Sequence, residues 1–204
     1  MLLCLFLLPL SVAANPVGRL YEFLEARTFK SAFTQKVYDH QNTLIDDSRG
    51  VVAIERPGRF RWEYFSPHAK ILVSDGLNFI VHDPELKQVV VRPLADALAY
   101  APIMMLARDK PDLRDFDIDN RGRDEGLEWL SLRPKVKDME FVLIELGLQG
   151  ASVHTLKMLD HFDQWTIIRF DDPRSGLQIE PYLFRVHADE ETDIVGEFIT
   201  VMPP

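Results

Sequence analysis

Cysteine is almost absent from this sequence: Cys4 is the only one among 204 residues. An intramolecular disulfide is therefore impossible. Removal of the first 14 residues would leave a chain without cysteine, which excludes a cysteine zinc site and a cysteine nucleophile. The motifs G-x-S-x-G, H-E-x-x-H and the P-loop are also missing, so the sequence does not favour an enzyme.

The six histidines and the basic residues exclude two further classes of site. No two histidines lie three to five residues apart, so no metal-ligand pair is visible, and we expect neither a metal nor a cofactor. The 23 Lys and Arg residues are outnumbered by 32 Asp and Glu, giving a net charge of −9. Nucleic-acid binding, which needs a basic face, is therefore not expected.

The longest apolar run, residues 1–14, is too short to span a membrane. Small residues at Val12 and Ala14 suit signal-peptidase cleavage before Asn15, although no Lys or Arg precedes the run. A buried N-terminal helix is the alternative, and two prolines count against it. We expect a signal peptide over 1–14 and a single secreted domain over 15–204, whose composition is that of an ordinary globular protein.

A short helix followed by many strands is the predicted secondary structure. Asn15-Pro16 is typical of a helix start, and apolar spacing continues the helix to about Thr28. Arg59–Tyr64 alternates aromatic and charged residues, which predicts a strand with one apolar face. Turn signals recur about every ten residues and predict an antiparallel meander of ten or eleven strands, including Leu183–His187. So many strands require a curled sheet.

Residues 94–108 interrupt the strand pattern. Leu94, Ala97, Leu98 and Ala101 share one face of a helix, and the following proline ends it and can begin another. The second short helix contains Met104, Met105 and Leu106.

Arg56 stands at a strand end, before the turn signal Pro57-Gly58. Residue chemistry allows two interpretations: a surface ion pair of little energetic value, or a guanidinium that holds backbone carbonyls of another element. The aromatic residues Phe60, Trp62 and Tyr64 are likewise either ordinary core or the wall of a ligand site.

Five segments in order along the chain resemble the LolA family of periplasmic lipoprotein carriers. They are Phe33–Val37 (FTQKV), Arg56–Trp62 (RPGRFRW), Ile71–Gly76 (ILVSDG), His82–Val89 (HDPELKQV) and Ala101–Ala107 (APIMMLA). The resemblance implies a mainly β fold with a helical lid: an antiparallel, unclosed β-barrel of about 11 strands whose hydrophobic cavity is covered by short helices.

The resemblance also implies a function. A member of this family is a monomeric periplasmic carrier that accepts triacylated lipoproteins from an inner-membrane ABC transporter and delivers them to an outer-membrane receptor. The main alternative is a module of related fold that binds a lipid or peptide as a sensor without transfer. A second alternative is a periplasmic hydrolase, which the missing nucleophile motif disfavours.

The family's site residues map onto this sequence. Arg56 matches the arginine that holds the lid closed through helix carbonyls, here expected around Leu106 and Ala107 and near Phe23. The ligand-binding set implied is Arg56, Phe60, Trp62, Tyr64, Leu94, Leu98, Met104, Met105 and Leu106. Two differences are expected to matter. Ile80 and His82 replace common aromatic residues of the wall, and the sequence ends before a C-terminal loop that some members use to retain cargo.

Overall fold

The computed structural model describes residues 15–95, 106–107, 113–136 and 139–200. One α-helix precedes the sheet, α1 over Pro16–Glu25. The strands are β1 Thr28–Tyr38, β2 Leu44–Glu55, β3 Arg59–Ser66, β4 Lys70–Asp75, β5 Asn78–Asp83, β6 Gln88–Pro93, β7 Phe116–Asp124, β8 Leu127–Pro134, β9 Phe141–Gln149, β10 Ser152–Asp160, β11 Trp165–Ser175 and β12 Asp193–Val195.

All twelve strands belong to one curved, unclosed sheet in the order β12-β6-β5-β4-β3-β2-β1-β11-β10-β9-β8-β7. Every neighbouring pair is antiparallel except β12 with β6, which is parallel. The predicted fold class is confirmed, with twelve strands in place of about eleven. The predicted strand Leu183–His187 is wrong, because Pro181–Phe184 forms a 3₁₀ turn that buries Phe184.

The helix α1 begins where the sequence predicts and ends earlier. The side chain of Asn15 accepts a hydrogen bond from the Val17 N–H at 3.1 Å, and Pro16 occupies the first turn. The helix stops at Glu25 because Thr28 already pairs with Glu55 in the sheet. A β-branched residue followed by Phe29 favours the strand there.

Alternation along the strands gives the sheet two apolar faces. We call the face that carries Phe29, Phe33, Trp62, Leu130 and Phe170 the inner face. Side chains from β1 to β5 and from β8 to β11 join there in one continuous cluster with Leu20, Phe23 and Leu24 of α1.

The outer face carries a smaller cluster of Val73, Ile80, Val89 and Val91 on β4 to β6. The expectation that Ile80 replaces an aromatic residue of the inner wall is therefore wrong, because its neighbour Phe79 is the residue that joins the inner cluster. Val186 packs against this cluster from the chain that follows β11. The outer face of the β4–β6 region is therefore covered by chain from outside the sheet.

Candidate functional site

Arg56 lies at the end of β2 and joins three separate segments. Its Nε donates to the Leu106 carbonyl at 2.9 Å, and its Nη1 donates to the Ala26 carbonyl at 2.5 Å. Ala26 is the C-cap of α1, so its carbonyl has no partner within the helix, and a cation is favoured at this end. The expected bond near Leu106 and Ala107 is confirmed.

Backbone bonds on either side of Arg56 support the same junction. The Arg56 N–H donates to the Arg27 carbonyl at 2.8 Å, and the Gly58 N–H donates to the Ala107 carbonyl at 3.0 Å. Gly58 has a φ of 76°, and an added Cβ would lie 3.4 Å from Leu94. The turn therefore requires glycine and allows close approach of the covering chain.

The Arg56 guanidinium is buried, and no carboxylate of the described residues pairs with it. Its residue exposure is 5%, and the guanidinium carbon lies 4.9 Å from the centre of the Phe23 ring. The neighbouring Glu55 carboxylate instead pairs with Arg27 at 2.9 Å and Arg59 at 3.3 Å. Burial lowers the pKa of Arg56 to about 10, so the side chain stays charged at neutral pH.

One nitrogen of this guanidinium has no partner among the described residues. Nη2 is buried and makes no hydrogen bond to them, whereas Nε and Nη1 each hold a carbonyl. A buried donor without a partner raises the free energy of the closed arrangement. The junction is therefore specific in geometry but not maximally stable.

Phe60 and Trp62 lie on the inner face, as the alternation in β3 predicts, and both are buried. The ring centres of Phe33 and Trp62 are 4.3 Å apart, those of Trp62 and Phe170 are 6.3 Å apart, and those of Phe60 and Phe79 are 6.1 Å apart. These contacts, two tilted and one edge-on, pack the aromatic side chains of the inner face against one another.

Tyr64 marks the point where this wall becomes polar. Its hydroxyl donates to Gln35 Oε1 at 3.2 Å, and its ring meets Phe33 edge-on at 5.4 Å. Burial raises the pKa of Tyr64 to about 12, while the Trp62 and Gln35 side chains act in the opposite direction. The phenol is therefore neutral at physiological pH.

The remaining predicted ligand residues are only partly described. Leu106 is buried in the inner cluster, and Leu94 is half-buried against it. Leu98, Met104 and Met105 lie outside the described residues. A ligand role for all nine predicted residues stays a prediction.

Sequence reasoning did not find several residues of the site. The Ala26 carbonyl, Phe33, Gln35 and Phe170 take part through strand register and helix ending, which no local motif reveals. Phe23, by contrast, was expected near Arg56, and its ring does lie against the guanidinium.

Neither a metal site nor a membrane helix is found in the described ranges. No group of three or more His, Cys, Asp or Glu side chains there is placed to hold a metal ion. No helix among those residues has the length and apolarity needed to cross a membrane.

Comparison with known proteins agrees with the geometry. Residues 25–187 match the family described as outer membrane lipoprotein carrier protein LolA. The chain is 34% identical over 195 residues to an outer-membrane lipoprotein carrier protein of Dechloromonas aromatica, covering 95% of this chain and 94% of that one. It is 32% identical to one from Methylococcus capsulatus, with 88% and 87% covered.

A solved structure supports the fold. A LolA superfamily protein from Nitrosomonas europaea aligns with a TM-score of 0.50 at 12% identity, covering 85% of this chain and 99% of that one. The family name denotes a carrier, in keeping with a sequence that contains no nucleophile motif. The chain belongs to the LolA family of outer membrane lipoprotein carrier proteins.

Proposed function

We propose that this protein is a periplasmic carrier that binds the acyl chains of triacylated lipoproteins. It takes them up after an ABC transporter releases them from the inner membrane, and it delivers them to an outer-membrane receptor. Family membership supports the lipoprotein cargo. The observation that carries the proposal is the Arg56 junction, which closes the apolar inner face with hydrogen bonds to backbone carbonyls.

The junction has the properties of a reversible closure. Arg56 contacts the end of α1 and the segment of Leu106 and Ala107 mainly through carbonyl oxygens, which water can also satisfy when the cover lifts. Beneath it lie Phe23 and the inner cluster. Acyl chains therefore gain access to apolar surface once two charge-assisted bonds break.

Magnitudes show that cargo can drive the opening. Each charge-assisted bond contributes about 1.5–3 kcal/mol. Burial of one methylene group contributes about 0.8 kcal/mol. Two broken bonds are therefore offset by roughly four to eight buried methylenes, fewer than one long acyl chain supplies. The carrier needs no energy source of its own, because the donor and the receptor set the direction of transfer.

In the loaded state, we expect the acyl chains to contact Phe60, Trp62 and Tyr64 of β3 and the apolar residues of the covering segments. The latter are Leu94, Leu98, Met104, Met105 and Leu106. Unbranched thioethers such as those of Met104 and Met105 adapt readily to irregular apolar ligands.

Native mass spectrometry of the protein purified from a periplasmic extract tests this function. Copurified triacylated lipoprotein is expected. Free fatty acid or phospholipid in its place would favour a lipid sensor without transfer. N-terminal sequencing of the same sample should give Asn15 as the first residue, and retention of residues 1–14 in a membrane pellet would contradict the proposed location.

A further inference from the structure

The inner face changes from apolar to polar along the strands, away from the Arg56 junction. Across β1, β2 and β3, the strand pairings give successive inward rows. They run Phe29, Ile54 and Phe60; then Ser31, Val52 and Trp62; then Phe33, Gly50 and Tyr64; then Gln35 and Ser48; and last Val37 and Asp46. The far end of the wall thus collects an amide, a hydroxyl and a carboxylate beside the Tyr64 phenol.

At the apolar edge of this polar group, a hydrogen-bond donor is buried without a partner. Trp62 is 2% exposed, and its indole Nε1 has no acceptor of suitable geometry within the described part of the chain. The indole lies close enough to the Tyr64 hydroxyl to lower its pKa, but the two do not form a regular hydrogen bond. A buried N–H left without an acceptor costs free energy, and an incoming acceptor recovers it.

The surrounding groups are already engaged with one another. Tyr64 donates to Gln35, and the Ser48 hydroxyl donates to the Asp46 carboxylate. Among these described residues, Trp62 therefore offers the one buried donor without a partner, at the boundary between ring surfaces and polar side chains. Such a boundary matches the chemistry of an acyl ester, in which a carbonyl acceptor joins a hydrocarbon chain to a polar head.

We propose that the Trp62 indole N–H, next to Tyr64, binds the ester carbonyl of an acyl chain that lies along the inner face. This inference rests on the proposed carrier function and adds an orientation to it. The tail points toward the Arg56 junction, and the polar head leaves past Gln35 and Asp46. Both lipoproteins and phospholipids contain such esters. Because the Asp46 carboxylate disfavours a nearby phosphate anion, we assign the ester to a lipoprotein.

Paired ligands test the ester contact directly. A synthetic triacylated cysteinyl lipopeptide is compared with an analogue in which ether linkages replace its two esters. We expect the wild type to bind the ester form about threefold to tenfold more tightly. Trp62→Phe keeps an aromatic ring without the donor, so it should bind both forms equally. Trp165 lies on the outer face, because it pairs with Tyr38. Trp165→Phe should therefore keep the preference for the ester form.

Nuclear magnetic resonance gives a readout that does not depend on the folding of Trp62→Phe. The chain has three tryptophans and therefore three indole N–H resonances. The ester lipopeptide, but not the ether analogue, should shift the Trp62 resonance downfield; the Trp129→Phe and Trp165→Phe variants assign it by elimination. If no resonance distinguishes the two ligands, or if Trp62→Phe keeps the ester preference, the inference is wrong.

Other outcomes separate this inference from the carrier function and distinguish a lipoprotein from a phospholipid as the source of the ester. Equal binding of ester and ether lipopeptides overturns the Trp62 contact but leaves the carrier function intact. Failure of both to bind counts against the carrier function itself. Phosphatidylglycerol of matched chain length should bind more weakly than the lipopeptide, and the reverse order would overturn the assignment to a lipoprotein.

Discussion

Two buried polar side chains each hold a covering segment against the sheet, one on either face. On the inner face, Arg56 holds the inner cover, which consists of α1 and the segment of Leu106 and Ala107. On the outer face, Asn78 holds the outer cover, residues 181–199. The Asn78 amide donates to the Ile199 carbonyl at 3.0 Å and accepts from the Ile199 N–H at 2.7 Å.

We call Arg56 the inner clamp and Asn78 the outer clamp. The two clamps differ in how many of their hydrogen-bonding groups have partners. Asn78 also donates to the Asp75 carboxylate at 3.0 Å, so its amide uses both donors and its acceptor. Arg56 keeps an unpartnered Nη2 and holds its cover through donated bonds alone. The outer cover is further fixed by β12, which adds strand pairing with β6. A neutral, saturated clamp suits a permanent cover, and a charged, unsaturated clamp suits one that must open.

Arg56→Leu gives the largest effect that this comparison predicts. Loss of two charge-assisted bonds should shift the balance between closed and open forms by about two to four orders of magnitude toward open. Uptake of lipoprotein should be normal or tighter, and hand-off should be impaired, because closure no longer competes with cargo. The measurement is transfer of a labelled lipoprotein from the carrier to receptor-bearing vesicles.

Two variants control this experiment. Arg49→Leu removes the same charge from an exposed position on β2 and should transfer like the wild type. Arg56→Lys should be intermediate, since lysine keeps the charge but loses the planar fork. If the Arg56→Leu protein transfers normally, Arg56 is a structural residue and the reversible closure is wrong for this protein.

Asn78→Ala should show the opposite profile. It removes three hydrogen bonds of a buried amide and leaves the Ile199 backbone without its partners, so the free energy of unfolding should fall by about 2–3 kcal/mol. Transfer per folded molecule should not change. Urea unfolding measures the free energy of unfolding and the vesicle assay measures transfer, with Asn120→Ala at an exposed irregularity of β7 as control. Impaired transfer without loss of stability would contradict a permanent outer cover.

Local sequence signals predicted the inner clamp better than the outer one. Arg56 precedes an evident turn, and Asn15-Pro16 marks the start of α1, although no motif marked the helix end that Arg56 contacts. The family resemblance then supplied their connection. Asn78 gave no such signal, because it follows a turn as an ordinary polar residue and meets Ile199 across 121 positions.

Register explains most of what the sequence left undetermined. The contact of Tyr64 with Gln35 depends on how β1, β2 and β3 align, which alternation within one strand cannot fix. The chain after β11 was predicted as a strand at Leu183–His187, but burial of Phe184 in a 3₁₀ turn under Arg59 prevails. Tertiary packing overrode local propensity there.

A glycine pair tests how tightly the outer cover approaches the sheet. Gly196 has a φ of 100°, and an added Cβ would lie 2.2 Å from the Val91 carbonyl oxygen; Gly176 has a φ of 73° with nothing within 4 Å. Both alanine variants carry backbone strain, so their difference isolates the close approach. Gly196→Ala should be less stable than Gly176→Ala by about 1–2 kcal/mol in urea unfolding. Equal stabilities would show that the outer cover has room to shift.

The variant with the smallest predicted effect tests whether α1 is a fixed part of the inner cover while the segment of Leu106 and Ala107 moves. Arg19 of α1 pairs with Glu128 of β8 at 2.6 Å. The apolar face of α1, Leu20, Phe23 and Leu24, is buried against the sheet. If α1 stays in place while the segment of Leu106 and Ala107 moves, this ion pair never breaks during loading. Glu128→Gln should then lower the free energy of unfolding by no more than about 1 kcal/mol, since the pair is partly exposed.

Uptake and transfer by Glu128→Gln should stay within about twofold of the wild type, because a pair of at most about 1 kcal/mol that is intact in both states cannot bias them. The vesicle assay at low and high salt makes the comparison, since salt weakens the same pair in the wild type. A large gain in uptake by Glu128→Gln over the wild type at low salt would mean that α1 itself lifts from β8. The hinge would then lie at Ala26 and Arg27, between α1 and β1, and Arg56 would release the helix together with the segment of Leu106 and Ala107.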